Sequence, residues 1–176
     1  MKNYEIFLLI YAITVFVVYW LFVVIKFGVL PSISDSYYKE NNKALFTLFI
    51  WSIAFPVIIL GVEKTPLMFF AGAFLAFVGA APAFKEELER SVHIIGAAGG
   101  IILGFLAMII GYHQYYLPIV MGVFVILALP KRLPKFLDKS WMKWWTNGIN
   151  NYTWWIETMA FVLIFINLTI NLITKK

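Results

Sequence analysis

The residues of this chain that could do chemistry fall in three short stretches. The first, Leu30-Pro31-Ser32-Ile33-Ser34-Asp35-Ser36-Tyr37-Tyr38, crowds hydroxyls, a carboxylate and phenols together. Ser34, Ser36 and Tyr37 offer donors and acceptors there, and Asp35 is a candidate base or metal ligand. Proline, serine and aspartate equally suit a turn that ends one helix and caps the next. In the second stretch, Glu86, Glu89 and His93 are spaced by three and four residues, which puts them on one face of a continuous helix. Two carboxylates and an imidazole so placed could serve one metal or one proton transfer. Those acids also suit a solvated helix start, where the helix dipole favours negative charge. The third stretch, Trp154-Trp155-Ile156-Glu157, opens an apolar run with a carboxylate. An ionisable group in such a run is a functional candidate, unless it stays at headgroup level among the tryptophans. Asp35, His93 and Glu157 are thus the catalytic candidates. Ser34, Asp35, Ser36, Tyr37, Glu86, Glu89, His93, Trp154 and Glu157 form the wider binding set.

Absences narrow the chemistry. The chain has no cysteine, which excludes disulfides, thiolate catalysis and cysteine-based zinc sites. It has no GxxxxGK[ST], HExxH or GxSxG motif, so no cofactor or metal is indicated by a specific signature. The other histidine, His113, lies in a turn away from these stretches.

The elements that must position these residues are apolar runs. The 176 residues are 62% hydrophobic and 13% charged, with a mean hydropathy of +0.87. A soluble domain is about a quarter charged, and a chain this apolar has too little polar surface to face water. A crossing helix needs about 20 residues. Runs of that kind predict six spans, at about 5–29, 44–62, 66–84, 91–112, 115–129 and 152–173. The expected fold is therefore an all-α integral membrane protein, a compact single-domain bundle of about six transmembrane helices. The segment 130–151 carries Trp141, Trp144 and Trp145 beside Lys135, Lys139 and Lys143, a mixture that suits an interfacial helix or a basic loop with aromatic anchors.

Six alternating spans bring all three chemical stretches to one membrane face. That face carries ten of the 14 basic residues; only Lys2, Lys64, Lys175 and Lys176 fall on the other. The positive-inside rule then places the first, third and fifth loops in the cytoplasm and both termini outside. The net charge of +5 lies in loops between apolar spans, so its expected partner is anionic lipid rather than nucleic acid.

Small residues suggest how the bundle packs. Gly72, Ala76 and Ala80 repeat at four-residue spacing in the third span, as do Gly96, Gly100 and Gly104 in the fourth. Such faces let backbones approach closely, which matters in lipid, where burial alone gives helices little. The short connection makes these two spans antiparallel neighbours, and their contact is expected to be the tightest in the bundle. A homo-oligomer through the glycine face of the fourth span is the alternative.

Two segments resemble known families. Leu30-Pro31-Ser32-Ile33-Ser34-Asp35-Ser36 resembles the Pro-x-Ile-Ser-(Asp) motif of Frag1/DRAM-like membrane proteins, and His93-Ile94-Ile95-Gly96-Ala97 resembles a helix-opening segment of that group. A polar first loop with a helix-opening histidine also resembles the layout of the CREST superfamily of membrane hydrolases. That resemblance implies a zinc site of three histidines with Ser and Asp partners in a seven-span bundle. This chain departs from it, with two histidines and six predicted spans. Asp35, His93 and a carboxylate such as Glu157 would have to stand in.

Three functions remain in view. One is a small membrane protein whose polar face binds a lipid headgroup or a protein partner, without catalysis. The second is a lipid-directed membrane hydrolase using Asp35, His93 and Glu157. The third is an oligomeric channel or transporter, with Asn167 and Asn171 lining a path or making interhelical hydrogen bonds. The first is the leading expectation.

Overall fold

In a computed structural model the described residues are 3–80, 86–128 and 151–174. The side chains of 86–90 and of 127–128 are not described. Among the described residues every regular element is helical. The proposed interfacial segment 130–151, apart from Asn151, and the predicted end of the third span at 81–84 lie outside them.

The first helix, α1, covers Asn3–Phe27. Leu9, Ala12, Phe16, Tyr19 and Val23 recur at helical spacing and turn inward. Its opposite face is also apolar, with Phe7, Ile10, Val18, Leu21 and Ile25 exposed. A helix that is apolar all round suits a lipid surround, because water would leave the outer face unsolvated. Gly28 ends it at φ +76°, where its amide donates to the Val24 carbonyl at 2.9 Å. Glycine reaches that left-handed conformation without a Cβ penalty, which turns the chain into the first loop.

That loop contains one short helical turn, α2 (Ser36–Lys39). The helix α3 (Ala44–Val62) follows and is joined by a tight turn to α4 (Pro66–Ala80). Pro66 suits a first helical position, and the Thr65 hydroxyl accepts from the Leu67 amide at 3.3 Å. The helix α5 (Glu86–Leu106) continues through a π-helical turn, Ala107–Gly111. The helix α6 covers Tyr116–Ala128, and α7 covers Tyr152–Thr174.

Four segments are long and apolar enough to cross a membrane: Asn3–Phe27, Ala44–Val62, Ser91–Gly111 and Tyr152–Thr174. The apolar helices Pro66–Ala80 and Tyr116–Ile126 are shorter. At 1.5 Å per residue the 15 described residues of α4 reach about 22 Å of a hydrocarbon core of about 30 Å.

The most extensive helix contact joins α3 to α4, ahead of α4 with α5. This revises the expected packing. A Cβ on Gly72 would lie 2.6 Å from Ile58 Cγ1 and 2.9 Å from the Ile58 backbone nitrogen, so Gly72 faces α3 rather than α5. Gly96 and Gly100 do meet α4, close to the Phe74 and Ala71 carbonyls. Gly104 looks toward Ile164 of α7 and Ala71. No partner surface is therefore needed to explain the glycine face of α5. Ala76 contributes its carbonyl, which accepts from the Trp51 indole at 3.0 Å, and Ala80 is the last described residue of α4.

Where α1, α3 and α7 meet, aromatic rings fill the space. Tyr19 stacks on Phe49 at 3.9 Å, and Phe16 lies 5.1 Å from Phe161 and 5.6 Å from Phe165. Deeper along α7, Asn167 is fully buried with neither amide atom hydrogen-bonded among the described residues. The interhelical hydrogen bonds expected of it are not formed there.

Candidate functional site

The first loop and the start of α7 are bound together mainly through backbone groups of the loop. Asn151, oriented so that its amide satisfies its neighbours, donates from its side-chain nitrogen to the carbonyls of Leu30 (3.0 Å) and Val29 (3.1 Å). The Trp154 amide, one of the helix-start donors with no partner inside α7, donates to the Pro31 carbonyl at 3.0 Å. One turn further on, the Glu157 carboxylate accepts from the Ile33 amide at 2.6 Å, with the Ser34 amide as a second backbone partner. This contact joins residues 124 apart in sequence.

A cavity of about 80 Å³ opens beside this junction. Ser34 and Glu157 line it where the first loop meets α7, its mouth, and His93 lines it as well. The rest is apolar, because four helices each present one stripe. These are Phe46, Ile50 and Val57 on α3; Ala71, Leu75 and Val78 on α4; Ala97, Gly100 and Ile101 on α5; and Ala160, Phe161 and Ile164 on α7. Spacings of three, four and seven residues keep each stripe on one helical face. From Glu157 to Ile164, both of which line the cavity, α7 advances about 10 Å.

The predicted residues divide between this mouth and its supports. Ser34, His93 and Glu157, from three separate segments, line the same cavity. Asp35 lies close enough for its charge to act on Glu157, but its Oδ2 accepts from the Ser32 amide at 3.0 Å while the Asp35 amide donates to Ser32 Oγ at 3.1 Å. That reciprocal pair has the pattern of a capping box. Ser36 is buried, donating to the Ile33 carbonyl at 2.6 Å and sharing a 2.8 Å hydrogen bond with the Tyr19 hydroxyl. Tyr37 packs against Phe46, with the Lys43 ammonium 4.7 Å above its ring. Trp154 is fully buried beside Trp20, 5.9 Å between ring centres, and supports the junction from below rather than lining the cavity. Glu86 and Glu89 occupy the first turn of α5, leading into His93 on one continuous helix, and their side chains lie outside the described residues.

Sequence reasoning missed a second polar contact on this face. Lys26, near the end of α1, donates to Glu40 at 2.7 Å. The Lys26 hydrogen bond holds the Glu40 carboxyl below its ordinary range, and the Asn42 and Asn41 amides add to the effect. A lone lysine closing an apolar span was the available signal, since such a charge needs a partner or water. The backbone amides of Ile33 and Ser34 were missed as well, and no residue type marks an amide as a ligand.

Among the described residues no group of three or more His, Asp or Glu side chains is placed to hold a metal ion. No protein family, curated protein or solved structure matches the chain.

Proposed function

We propose that this protein is a six-span membrane protein that binds a lipid-like amphiphile, with the headgroup at Ser34, His93 and Glu157 and the chain in the apolar shaft. The carrying observation is the lining of the cavity: Ser34, His93 and Glu157 together with apolar stripes from four helices. Pockets that bind small molecules share that design, apolar walls with a few convergent polar groups that fix orientation. Four helices of crossing length support the membrane setting. In the six-span reading α4 and α6 cross as well, and the positive-inside rule turns the mouth toward the cytoplasmic leaflet, where anionic lipid meets the basic loops.

The test is mass spectrometry of the full chain purified into uncharged detergent, with Ala97→Phe as the comparison. Ala97 lines the shaft, so a phenyl ring there should fill it. The expected result is an amphiphile retained by the wild type and at least tenfold depleted in a variant that melts normally. Equal retention by both, or none by either, would count against the reading.

A lipid-directed hydrolase is the second reading, favoured by one observation: His93 and Glu157 line the same cavity. The resemblance of the polar first loop and helix-opening His93 to the CREST layout points the same way. Against it stand the engagement of Glu157 with the Ile33 amide and of Asp35 with Ser32. Those contacts suit carboxylates that hold a loop. Release of free fatty chain from a bound lipid, abolished by His93→Ala, would favour the hydrolase over the binder.

A further inference from the structure

We infer that the cavity has one movable wall: the first loop and α7, strapped together, move as one piece away from a fixed wall of α3, α4 and α5 to admit a guest. The nature of the guest rests on the binding reading above; which wall moves does not.

The cavity as it stands is small. At about 80 Å³ it is roughly half the ~150 Å³ apolar void that admits a benzene ring. A guest with a hydrocarbon chain therefore needs a wall to give way. Two walls face each other across the space. One is built by α3, α4 and α5, the other by Ile33 and Ser34 of the first loop with Glu157, Ala160, Phe161 and Ile164 of α7.

The first wall is locked at the level of the backbone. A Cβ on Gly61 would lie 2.9 Å from the Met68 backbone carbon, and one on Gly72 2.9 Å from the Ile58 nitrogen, which fixes α3 against α4. A Cβ on Gly96 would lie 2.9 Å from the Phe74 carbonyl oxygen, which fixes α5 against α4. Backbones this close have no layer of side chains between them that could repack.

The second wall is held differently. The most extensive helix contacts of α7 are with α6 and α1 rather than with the three helices across the cavity. Toward α5 it presents Ile164, whose Cδ1 would lie 3.7 Å from a Cβ on Gly104, an ordinary side-chain contact. To the loop it is strapped, since Asn151, Trp154 and Glu157 hold the backbone of Val29, Leu30, Pro31 and Ile33. Parting the loop from α7 breaks several hydrogen bonds at once. Parting Ile164 from Gly104 breaks none.

The test drives a wedge into the cavity and uses no ligand. Ala97→Phe inserts a ring from α5 and Ala160→Phe inserts one from α7; both positions line the cavity. The chain holds no cysteine, so spin labels can be paired at exposed positions. Thr153→Cys with Ile95→Cys spans the two walls, and Leu48→Cys with Ile95→Cys lies within the fixed one. In nanodiscs each wedge should lengthen the Thr153–Ile95 distance by up to one carbon layer, roughly 3.5 Å, and leave Leu48–Ile95 unchanged. Hydrogen exchange reads the strap. Asn151→Gly removes the bonds to Leu30 and Val29 and keeps a residue suited to the φ of 79° at that position. It should speed exchange of the Ile33 and Trp154 amides together and by a similar factor. A Leu48–Ile95 distance that changes as much as the other would put the movable side in α3, α4 and α5 and overturn the inference. Wedges accommodated with neither distance changed would overturn it as well. Faster exchange at Ile33 or Trp154 alone, or at neither, would show that loop and helix are separate pieces. A protein that retains no amphiphile still gives every one of these readouts, so the movable wall and the binding reading fail separately.

Discussion

Glu40 and Asn167 are both buried polar residues, and they have opposite consequences for stability. Glu40 is paired, and its carboxyl is held below the ordinary range first by Lys26 and then by two amides. A depressed folded-state pKa means that the unfolded chain takes up the proton first as pH falls. The contribution is therefore complete above the ordinary glutamate value of about 4.3 and is lost as pH drops through the lowered one. Thermal melts of wild type and Glu40→Gln should differ at neutral pH, with the wild type the more stable, and converge in acid. A constant gap across that range would show that the pair is not what Glu40 contributes. Asn167 has no such partner among the described residues, and a buried amide without hydrogen bonds costs about 1–3 kcal/mol. Asn167→Leu, close in size, should raise the melting temperature in detergent; a fall would mean that the amide holds a water or another group worth keeping.

Residue types were a fair guide to which side chains gather at the mouth and a poor one to how. The hydroxyl-rich first loop, His93 and Glu157 stood out in the sequence, and Ser34, His93 and Glu157 do line one cavity. What Glu157 grips is the backbone at Ile33, a residue with nothing in its side chain to announce it. Asp35 looked like a base because a carboxylate in a polar loop and a capping carboxylate have the same composition. Only the direction of its Oδ2 separates them.

At the scale of elements, helix faces decide which glycines are essential. Gly72 has the Ile58 backbone and the Ala54 carbonyl against it, and neither can move without shifting α3. Gly72→Ala should cost about 1–3 kcal/mol, as overpacking a tight contact does. Gly104 has only side-chain carbons at 3.7 Å and beyond, so Gly104→Ala should be neutral or slightly stabilising, since glycine inside a helix costs about 0.5–1 kcal/mol relative to alanine. Melting both variants in the same detergent tests the pair; a Gly104→Ala variant as unstable as Gly72→Ala would contradict these faces. The four-residue spacing was legible in the sequence, but spacing says only that a face is smooth. It does not say which neighbour lies against it, and α4, sandwiched between α3 and α5, turns Gly72 one way and Ala71, Phe74 and Val78 the other.

At the scale of the molecule the open question is which way the bundle sits. The sequence made the apolar runs plain, and four of them are helices of crossing length. The short α4 and α6 are where the span count is decided, and the charge asymmetry has meaning only once that count is known. The chain has no cysteine, so any one introduced is the sole thiol. Lys39→Cys and Lys64→Cys both sit at exposed positions, at opposite ends of α3. In intact cells a membrane-impermeant maleimide should label Lys64→Cys and spare Lys39→Cys until the cells are opened. The reverse pattern would invert the orientation, and equal labelling would mean that α3 does not cross.

The junction between the first loop and α7 also bears on how the protein is made. Residues 29–34 leave the ribosome well before the groups that hold them, from Asn151 to Glu157; Ile33 and Glu157 are 124 residues apart. Until α7 is made the Ile33 amide has no Glu157 to meet, and the cavity lacks one of its walls. Insertion of α7 is therefore the step that completes the cavity. A nascent or truncated chain ending before residue 151 would carry α1 to α6 without Glu157 and the α7 wall of the cavity, so on the binding proposed above the arrival of α7 separates an inert intermediate from a competent one.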